Sequence, residues 1–193
     1  MKIAIIKYNA GNVHSVASAL RRLDIDPVIT NETEVLKTAD KIIFPGVGEA
    51  STAMNYLRGK KLDQLIPTLG QPFLGICLGL QLMFEASEEN NTTCLGIFKG
   101  QVKKFNENLK IPHMGWNNFT ELKSPLFKNI RADDFVYFVH SYYAPVTKNS
   151  IAITDYGLKF SAAAARDNFY ATQFHPEKSG KVGARILENF VSM

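Results

Sequence analysis

Cysteine is scarce in this chain, since only Cys77 and Cys94 occur among its 193 residues. Two cysteines are too few for the disulfide framework of a small secreted protein. Long apolar runs are also missing, and none approaches the roughly 20 residues that a membrane-spanning helix needs. The apolar segment at residues 3–6 is too short for a signal peptide and predicts a first strand instead. We therefore expect a cytoplasmic protein with reduced thiols and no association with a membrane.

An excess of charge of one sign is missing as well. The chain has 22 basic and 18 acidic residues, and the basic ones occur as scattered pairs, which is typical of solvated faces. No nucleic-acid-binding motif is present, so no nucleic acid is expected as a partner. No group of His, Cys, Asp and Glu has the spacing of metal ligands, and neither a G-x-G-x-x-G nor a P-loop pattern occurs. We therefore expect no metal and no cofactor.

Strand and helix patterns alternate through the first half of the chain, which predicts a parallel sheet. Five apolar residues between Val13 and Leu23 recur at helical spacing after Asn12, a candidate N-cap. The predicted strands cover residues 2–8, 27–30, 41–44 and 72–76, and the predicted helices cover 13–23, 32–38, 50–62 and 80–86.

The second half is richer in aromatic residues and alternating patterns, with short turn-like connections. This predicts antiparallel strands added to the sheet. The predicted strands cover residues 100–106, 116–122, 135–143, 151–156, 162–165 and 169–174, and a helix over 183–191 closes the chain. No linker, repeat or low-complexity segment interrupts the pattern. We therefore expect a single α/β domain over residues 1–193.

The most informative segment is Gly75-Ile76-Cys77-Leu78-Gly79, the thiol version of the G-x-S-x-G nucleophile elbow. An apolar strand pattern precedes it and a helix pattern follows, so Cys77 is expected in a sharp strand-to-helix turn. A side chain at either glycine would crowd that turn. Unpaired N–H groups and the positive end of the helix dipole favour the nucleophilic thiolate there. The alternative, a buried structural cysteine, is what we expect for Cys94, which has no such surroundings.

A base and an acid for this nucleophile occur ninety-eight residues later, in Phe174-His175-Pro176-Glu177. Residues i and i+2 of an extended segment point to the same side, so the imidazole and the carboxylate can meet. His175 would carry the proton, while Glu177 would fix its tautomer and stabilise the imidazolium. The remaining histidines, His14, His113 and His140, have no such partner in the sequence.

A glycine-bearing loop, Pro45-Gly46-Val47-Gly48, follows the predicted strand at residues 41–44. Taken alone it indicates only a β-turn. Beside the strand that carries Cys77, however, Gly46 and Val47 could supply a backbone N–H group to a tetrahedral oxyanion. The N–H group of Leu78 would be the second donor.

The elbow extended to Gln81, together with Gln173 to Glu177, resembles the class I, or triad, glutamine amidotransferases. Further segments resemble the glutaminase subunits of imidazole glycerol phosphate synthase in particular: Ala10-Gly11-Asn12 with Ser15-Val16, Pro45 to Gly48, Pro112 to Asn117, Phe138 to Tyr142, and His175 to Ser179. One departure is Lys7-Tyr8-Asn9, where the family usually has Asp-Tyr-Gly, and it bears on local interface contacts. The resemblance implies a flavodoxin-like, doubly wound sheet that is mostly parallel, with added antiparallel strands.

The same resemblance implies a division of labour between two subunits. This chain would hydrolyse L-glutamine to L-glutamate and ammonia. The ammonia would pass to a cyclase subunit, a (β/α)8 barrel in a heterodimer with this chain. The cyclase would make imidazole glycerol phosphate and aminoimidazole carboxamide ribotide in histidine biosynthesis, so the whole synthase would have hydrolase and lyase activities. By position, the resemblance assigns Gly48, Gln81, Ser141 and Tyr142 to the glutamine substrate, and Asn12, Met114 and Trp116 to the partner and the ammonia passage.

The predicted reaction is acyl transfer, in which Cys77 attacks the glutamine side-chain amide and His175 first protonates ammonia and then activates water. Three alternatives remain open. The glutaminase subunit of another synthase, for anthranilate, aminodeoxychorismate or pyridoxal phosphate, would keep the triad but not the segment at 112–117. A cysteine peptidase or chaperone-like hydrolase would not need the His-Pro-Glu segment with Gln81. A regulatory module without activity would have lost a member of the triad.

Overall fold

A computed structural model describes residues 1–9, 12–106 and 108–193. Ala10 and Gly11, two residues of the family resemblance, lie outside these ranges. The strands within the described residues are β1 (Ile3–Ile6), β2 (Val28–Thr30), β3 (Lys41–Phe44), β4 (Phe73–Ile76), β5 (Ala86–Ser87), β6 (Thr92–Thr93), β7 (Gln101–Lys104), β8 (His113–Asn117), β9 (Glu121–Leu122), β10 (Val136–His140), β11 (Tyr142–Tyr143), β12 (Ser150–Asp155), β13 (Lys159–Arg166) and β14 (Phe169–Thr172). The α-helices in the same ranges are α1 (Val13–Arg21), α2 (Thr33–Lys37), α3 (Ala50–Gly59), α4 (Leu62–Leu65), α5 (Leu78–Leu82) and α6 (Gly180–Val191). Of these helices, none is both long and apolar enough to cross a membrane.

The main sheet has eight strands in the order β2-β1-β3-β4-β14-β13-β12-β9. The first five of these run parallel to one another, and the last three continue the sheet in antiparallel fashion. The order 2-1-3-4 followed by a fifth parallel strand is that of flavodoxin-like folds. The prediction of a doubly wound, mostly parallel α/β sheet with added antiparallel strands is therefore confirmed.

Helices cover both faces of this sheet, because alternate residues of each buried strand point to opposite sides. Ile3 and Ile5 of β1 face one apolar cluster, while Ala4 and Ile6 face the other. The first cluster is completed by α1 and α6, and the second by α2, α3, α4 and α5. All four residues of each of β1, β3 and β4 are buried, as expected for strands covered on both faces.

The first half follows the prediction in element order but differs at several ends. Asn12 occupies the N-cap position of α1, as predicted, but it has a left-handed backbone (φ 83°) and its side chain makes no capping hydrogen bond. The predicted helix over 50–62 ends at Gly59, because Lys61 adopts a left-handed conformation (φ 58°). The helix predicted over 80–86 instead spans Leu78–Leu82. It stops there because the Glu85 N–H donates to the Gly100 carbonyl at 3.1 Å and draws the chain into β5.

The second half differs more from its prediction. Of its predicted strands, β9, β12 and β13 join the main sheet in antiparallel fashion, whereas β14 pairs in parallel with β4. The predicted strands over 116–122 and 135–143 are each divided in two. Within the residues that the structure describes, their first pieces, β8 and β10, pair only with each other, and β11 belongs to a third, four-stranded sheet with β7, β5 and β6. The alternating pattern located these strands but carried no information about their partners.

The sheet brings three segments that are distant in sequence to one edge. β3, β4 and β14 are adjacent and parallel, so their carboxyl ends lie side by side. The loop at 45–48 follows β3, Cys77 follows β4, and His175 follows β14. Ligands of open α/β sheets bind at this edge.

Gly79→Ala is predicted to destabilise the fold around the elbow, because a Cβ atom at Gly79 would come within 2.0 Å of the Phe44 carbonyl oxygen. Backbone cannot give way as a flexible side chain can, so we expect a loss of about 2–4 kcal/mol in the free energy of unfolding. Gly70→Ala is the control, since nothing lies within 4 Å of a Cβ atom there. Urea unfolding measures both variants, and similar losses in the two would contradict this account of Gly79.

Candidate active site

The predicted sharp turn at Cys77 is present. Cys77 links β4 to α5 with φ 54° and ψ −106°, a conformation that a residue with a side chain rarely adopts. Its N–H group donates to the Thr172 carbonyl at 2.7 Å, which extends the pairing of β4 with β14 by one residue. The side chain is 6% exposed and opens into a pocket. The strain and the pairing together aim the sulfur at the carboxyl edge of the sheet.

His175 and Glu177 meet as predicted. Nδ1 of His175 lies 2.7 Å from Oε1 of Glu177, and both side chains are fully buried. A 3-10 turn over Pro176–Lys178 carries the pair, and the Ser179 hydroxyl fixes it by donating to the His175 carbonyl at 2.7 Å. Because the carboxylate can only accept, Nδ1 carries the proton and Nε2 is the nitrogen left for chemistry.

Asn12 completes this arrangement in a way that the sequence did not indicate. Its Nδ2 donates to Oε1 of Glu177, the same oxygen that His175 uses. Within the described residues, Oε2 of Glu177 and Nε2 of His175 have no hydrogen-bond partner. The family resemblance assigned Asn12 to the partner interface, and in the free chain its side chain contacts the carboxylate of Glu177.

The electrostatics of the site favour a charged imidazole at His175. Burial lowers the pKa of His175, but the neighbouring Cys77 and the hydrogen-bonded Glu177 outweigh this and raise it to about 10. The imidazole is therefore an imidazolium at neutral pH whenever the sulfur beside it is a thiolate. At the other cysteine, Cys94, burial raises the pKa to about 12 and keeps the group a thiol.

The loop predicted to form the oxyanion hole lies beside the elbow. Gly48 has φ 117°, in the region that only glycine adopts readily. The Leu78 N–H group, the second predicted donor, donates to the Gly46 carbonyl at 3.3 Å. The Gly46 carbonyl therefore already occupies the Leu78 N–H group, a donor that an oxyanion would need. A substrate oxygen can use this N–H group only after the loop changes its orientation.

A pocket of about 340 Å³ opens over the sulfur. It brings together most of the residues predicted to act on the substrate: Val47, Gly48, Cys77, Leu78, Gln81, Ser141 and Tyr142. The remaining lining comes from Glu89, Pro112, Val139 and His140. Asn12, Met114 and Trp116 are not among its lining residues. In the described part of the chain, no three His, Cys, Asp or Glu residues are grouped as a metal site.

Gln81 is held in the pocket wall by hydrogen bonds of its own. Its Nε2 donates to the Tyr142 carbonyl at 2.9 Å and to Oε1 of Gln173 at 3.1 Å. Gln173, which is fully buried, directs its own Nε2 at the Cys77 sulfur from 3.7 Å. Both amide hydrogens of Gln81 are thus used within the protein, and its amide oxygen is the atom left for a substrate.

Glu89 is a pocket residue that the sequence did not reveal. It follows β5 in a short 3-10 turn and resembles ordinary surface charge next to Glu88. Its Oε2 accepts from the Ala50 N–H group at 2.8 Å, and burial raises its pKa. The lining of the pocket therefore contains a fixed acidic group, which suits a substrate with an ammonium group.

Met114 and Trp116 project from β8 into solvent, with 62% and 55% of their surface exposed. The ring of Tyr137 on β10 packs edge-on against Trp116, with ring centroids 5.9 Å apart. The Tyr137 carbonyl in turn accepts from the backbone N–H group of His175 at 2.9 Å. This exposed apolar face therefore adjoins the segment that carries His175, and neither Met114 nor Trp116 lines the pocket.

A strained cysteine at a strand end, a buried His-Glu pair on the next strand and a loop beside the elbow define a cysteine hydrolase of the triad type. Comparison of sequences gives the family. Residues 4–193 match glutamine amidotransferase class-I, and the chain belongs to this family.

Curated relatives give a narrower likeness over the whole chain. The chain is 59% identical to the imidazole glycerol phosphate synthase subunit HisH of Bacteroides fragilis strain YCH46, 55% to that of Bacteroides thetaiotaomicron and 44% to that of Yersinia pseudotuberculosis, each covering all of both chains. Among solved structures, it is similar to a glutamine amidotransferase (TM-score 0.76, 16% identity, 98% of this chain and 97% of the other). It is also similar to PurLQS of Thermotoga maritima (TM-score 0.72, 16% identity, 99% and 97%), and both structures support the fold.

Glu177→Gln is predicted to lower glutamine turnover less than His175→Ala does. Removing the proton carrier should cost about 10²–10⁴ in kcat, whereas the neutral amide loses only the charge that steadies the imidazolium, for which we expect about 10–10². Asn12 should keep the oxygen of the new amide toward His175, because its Nδ2 can only donate.

Adding Asn12→Ala to Glu177→Gln should therefore cost about a further tenfold, because the amide can then turn its NH₂ group toward Nδ1. Steady-state kinetics and a thermal unfolding midpoint for each variant make the comparison. Equal losses for Glu177→Gln and His175→Ala in folded proteins would show that Glu177 is more than an orienting group.

Proposed function

We propose that this chain is the glutaminase subunit of imidazole glycerol phosphate synthase and acts in histidine biosynthesis. The observation that carries the proposal is the triad, whose Cys77 lines a pocket together with Gly48, Gln81 and Glu89, in a chain that matches HisH subunits from end to end. The hydrolytic half of the reaction belongs to this chain, and the lyase half belongs to the cyclase partner. A glutaminase subunit for anthranilate, aminodeoxychorismate or pyridoxal phosphate synthesis is the alternative, and the end-to-end HisH likeness disfavours it.

The chemistry follows from the geometry. The Cys77 thiolate adds to the carbonyl carbon of the glutamine side chain, and the resulting oxyanion takes N–H groups from the loop at 46–48 and from Leu78. The His175 imidazolium gives its Nε2 proton to the leaving ammonia, which leaves a γ-glutamyl thioester on the sulfur. Neutral Nε2 then removes a proton from water, whose oxygen attacks the thioester and releases glutamate and the thiolate.

The substrate's other end would lie against Glu89, which also lines the pocket. The Glu89 carboxylate is the group that suits the α-ammonium of glutamine, since it is the acidic side chain among the residues lining the pocket. The amide oxygen of Gln81 is free to accept from the substrate, and the backbone at Ser141 and Tyr142 lies along the same wall. These contacts would hold glutamine with its side-chain amide over the sulfur.

The partner in this proposal is a cyclase subunit with a (β/α)8 barrel, which forms a heterodimer with this chain in the cytoplasm. The exposed face made by Met114 and Trp116 supports this, because large exposed apolar side chains beside a site are typical of interaction surfaces.

Ammonia released into water at neutral pH is mostly protonated and unreactive. A covered passage from the sulfur to the partner would keep it neutral.

Regulation by the partner would act on the loop at 45–48. In the free chain the Gly46 carbonyl already accepts from the Leu78 N–H group, so the oxyanion hole lacks a donor. Losing one such donor typically costs about 2.7–4 kcal/mol, or about 10²–10³ in rate. Rotation of the Gly46–Val47 peptide would free Leu78 and direct the Val47 N–H group inward, and a partner that binds this orientation more tightly would favour it.

Replacing the nucleophile separates the two half-reactions. Cys77→Ala should reduce glutamine-dependent synthesis by the complex to background and leave synthesis from added ammonium salts intact, because the cyclase needs only ammonia. Cys94→Ala, at a thiol outside the pocket, should change either rate by less than about twofold. Product formation from each nitrogen source measures this. Glutamine use by Cys77→Ala at a rate near wild type would refute the proposed function.

The loop makes the glutaminase rate dependent on the partner. We expect the isolated chain to be nearly idle, the complex to be faster, and the complex with a nucleotide ligand of the cyclase to be faster still, by about 10²–10³ over the isolated chain. Gly48→Pro should remove the response, because proline cannot adopt φ 117°. Glutamate release in the three states gives the rates, with complex formation verified for the variant. Three equal rates for the wild type would exclude the gate and leave the triad unaffected.

A further inference from the structure

Two histidines that seemed unpaired in the sequence are paired in the fold. His113 on β8 and His140 on β10 are opposite each other in the strand register, and both are buried. Nδ1 of His113 lies 3.0 Å from Nε2 of His140. The His113 ring stacks on Phe138 and on Tyr156, with ring centroids 4.9 Å and 4.0 Å away. Neither ring forms a hydrogen bond with a carboxylate among the residues that the structure describes.

The hydrogen bonds at the two ends of this pair determine the position of every proton. Nδ1 of His140 lies 2.8 Å from the Tyr142 carbonyl, which can only accept, so Nδ1 carries the proton. A neutral imidazole has one N–H group, so Nε2 of His140 accepts and Nδ1 of His113 donates to it. Nε2 of His113 then accepts from Nδ2 of Asn117, 3.4 Å away.

Asn117 cannot reverse the direction of these hydrogen bonds, because two backbone groups fix the orientation of its amide. Its Nδ2 donates to the Asp155 carbonyl at 3.0 Å, and its Oδ1 accepts from the Asn118 N–H group at 2.8 Å. Burial lowers the pKa of His113 to about 4 and, with the neighbouring histidines, that of His140 to about 3. Both rings are therefore neutral at pH 7, as the chain of hydrogen bonds requires.

This series of hydrogen bonds ends at the Tyr142 carbonyl, in the wall of the active-site pocket. The Tyr142 carbonyl that accepts from His140 also accepts from Nε2 of Gln81 at 2.9 Å. One oxygen is thus held by β10 on one side and by α5, the helix of the elbow, on the other. Ser141 and Tyr142 line the pocket beside Cys77, so the backbone held at this oxygen is a wall of the substrate site.

We infer that His113 and His140 are positioning residues for the glutamine site, which hold the Ser141–Tyr142 backbone against Gln81 through the proton on Nδ1 of His140. The inference rests on the proposed function, in which this wall contacts glutamine. Neither ring carries protons in the reaction, because the nitrogens of both are engaged within the protein. Loss of the hydrogen bond to Tyr142 should therefore weaken substrate binding more than it slows the chemical step.

Two substitutions at His140 provide a matched test. Asparagine places its amide where Nδ1 was and can still donate to the Tyr142 carbonyl, whereas glutamine places its amide near Nε2 and cannot. In the complex with the cyclase, we expect His140→Gln to raise KM for glutamine about five- to thirty-fold with kcat changed less than about threefold, and His140→Asn to keep both within about threefold. Ammonia-dependent synthesis should be unchanged in both variants. An unchanged KM in His140→Gln, or equal losses in the two variants, would overturn the inference.

A second measurement uses the wild-type chain and needs no activity. Nitrogen-15 NMR of the histidine rings should show two neutral imidazoles protonated on Nδ1 that do not titrate between pH 5 and 8. Protonation on Nε2 in His140, or titration of either ring in that range, would overturn the inference even if both variants failed to fold. If the wild type did not hydrolyse glutamine at all, the proposed function would fail instead. Failure of the inference alone would appear as normal wild-type turnover with the wrong tautomer or an unchanged KM.

Discussion

The pairing of β4 with β14 is the interaction on which the active site depends. Its last hydrogen bond joins the Cys77 N–H group to the Thr172 carbonyl, one residue beyond β4. That bond holds the strained elbow at the strand end and places the sulfur beside the segment that continues into His175. On the other side of β4, β3 leads into the loop at 45–48. The nucleophile, the base and the oxyanion loop are therefore neighbours because three parallel strands are neighbours, although their residues are up to about 130 positions apart in the chain.

The second constraint is that buried polar atoms need hydrogen-bond partners, and not all of those in this molecule have one. Most buried polar atoms in proteins have a hydrogen-bond partner, and those that lack one carry a cost. In the described ranges, four buried side-chain atoms lack a partner, and three of these belong to Tyr8, His175 and Glu177. Nε2 of His175 is the nitrogen that the proposed mechanism uses, and the Tyr8 hydroxyl packs against Gly46 of the loop at 45–48. The unmet hydrogen-bonding capacity is thus concentrated where a substrate or a changed loop could use it.

The sequence predicted the local parts of this site well and the long-range parts poorly. The elbow and the His-Glu pair are short segments whose spacing alone implies their geometry, and both are present in the fold. The bond from Asn12 to Glu177 joins residues 165 positions apart, and no local pattern encodes it. The same holds for Glu89 and for the pairing of His113 with His140, which depend on how the second-half strands associate. The alternating pattern located those strands, but it could not show that β8 and β10 leave the main sheet or that β14 joins it in parallel.

The acid and the base of the triad occupy a single turn, and this has an evolutionary consequence. Because His175 and Glu177 are two positions apart, their mutual geometry is inherited as one unit, and only the distance from that unit to the sulfur depends on the rest of the fold. Strands β3, β4 and β14 fix that distance, whereas β8, β10 and β11 supply the pocket wall and the exposed face. Descendants of such a chain can therefore change the partner or the substrate by altering the second-half strands, while the chemistry is passed on without change.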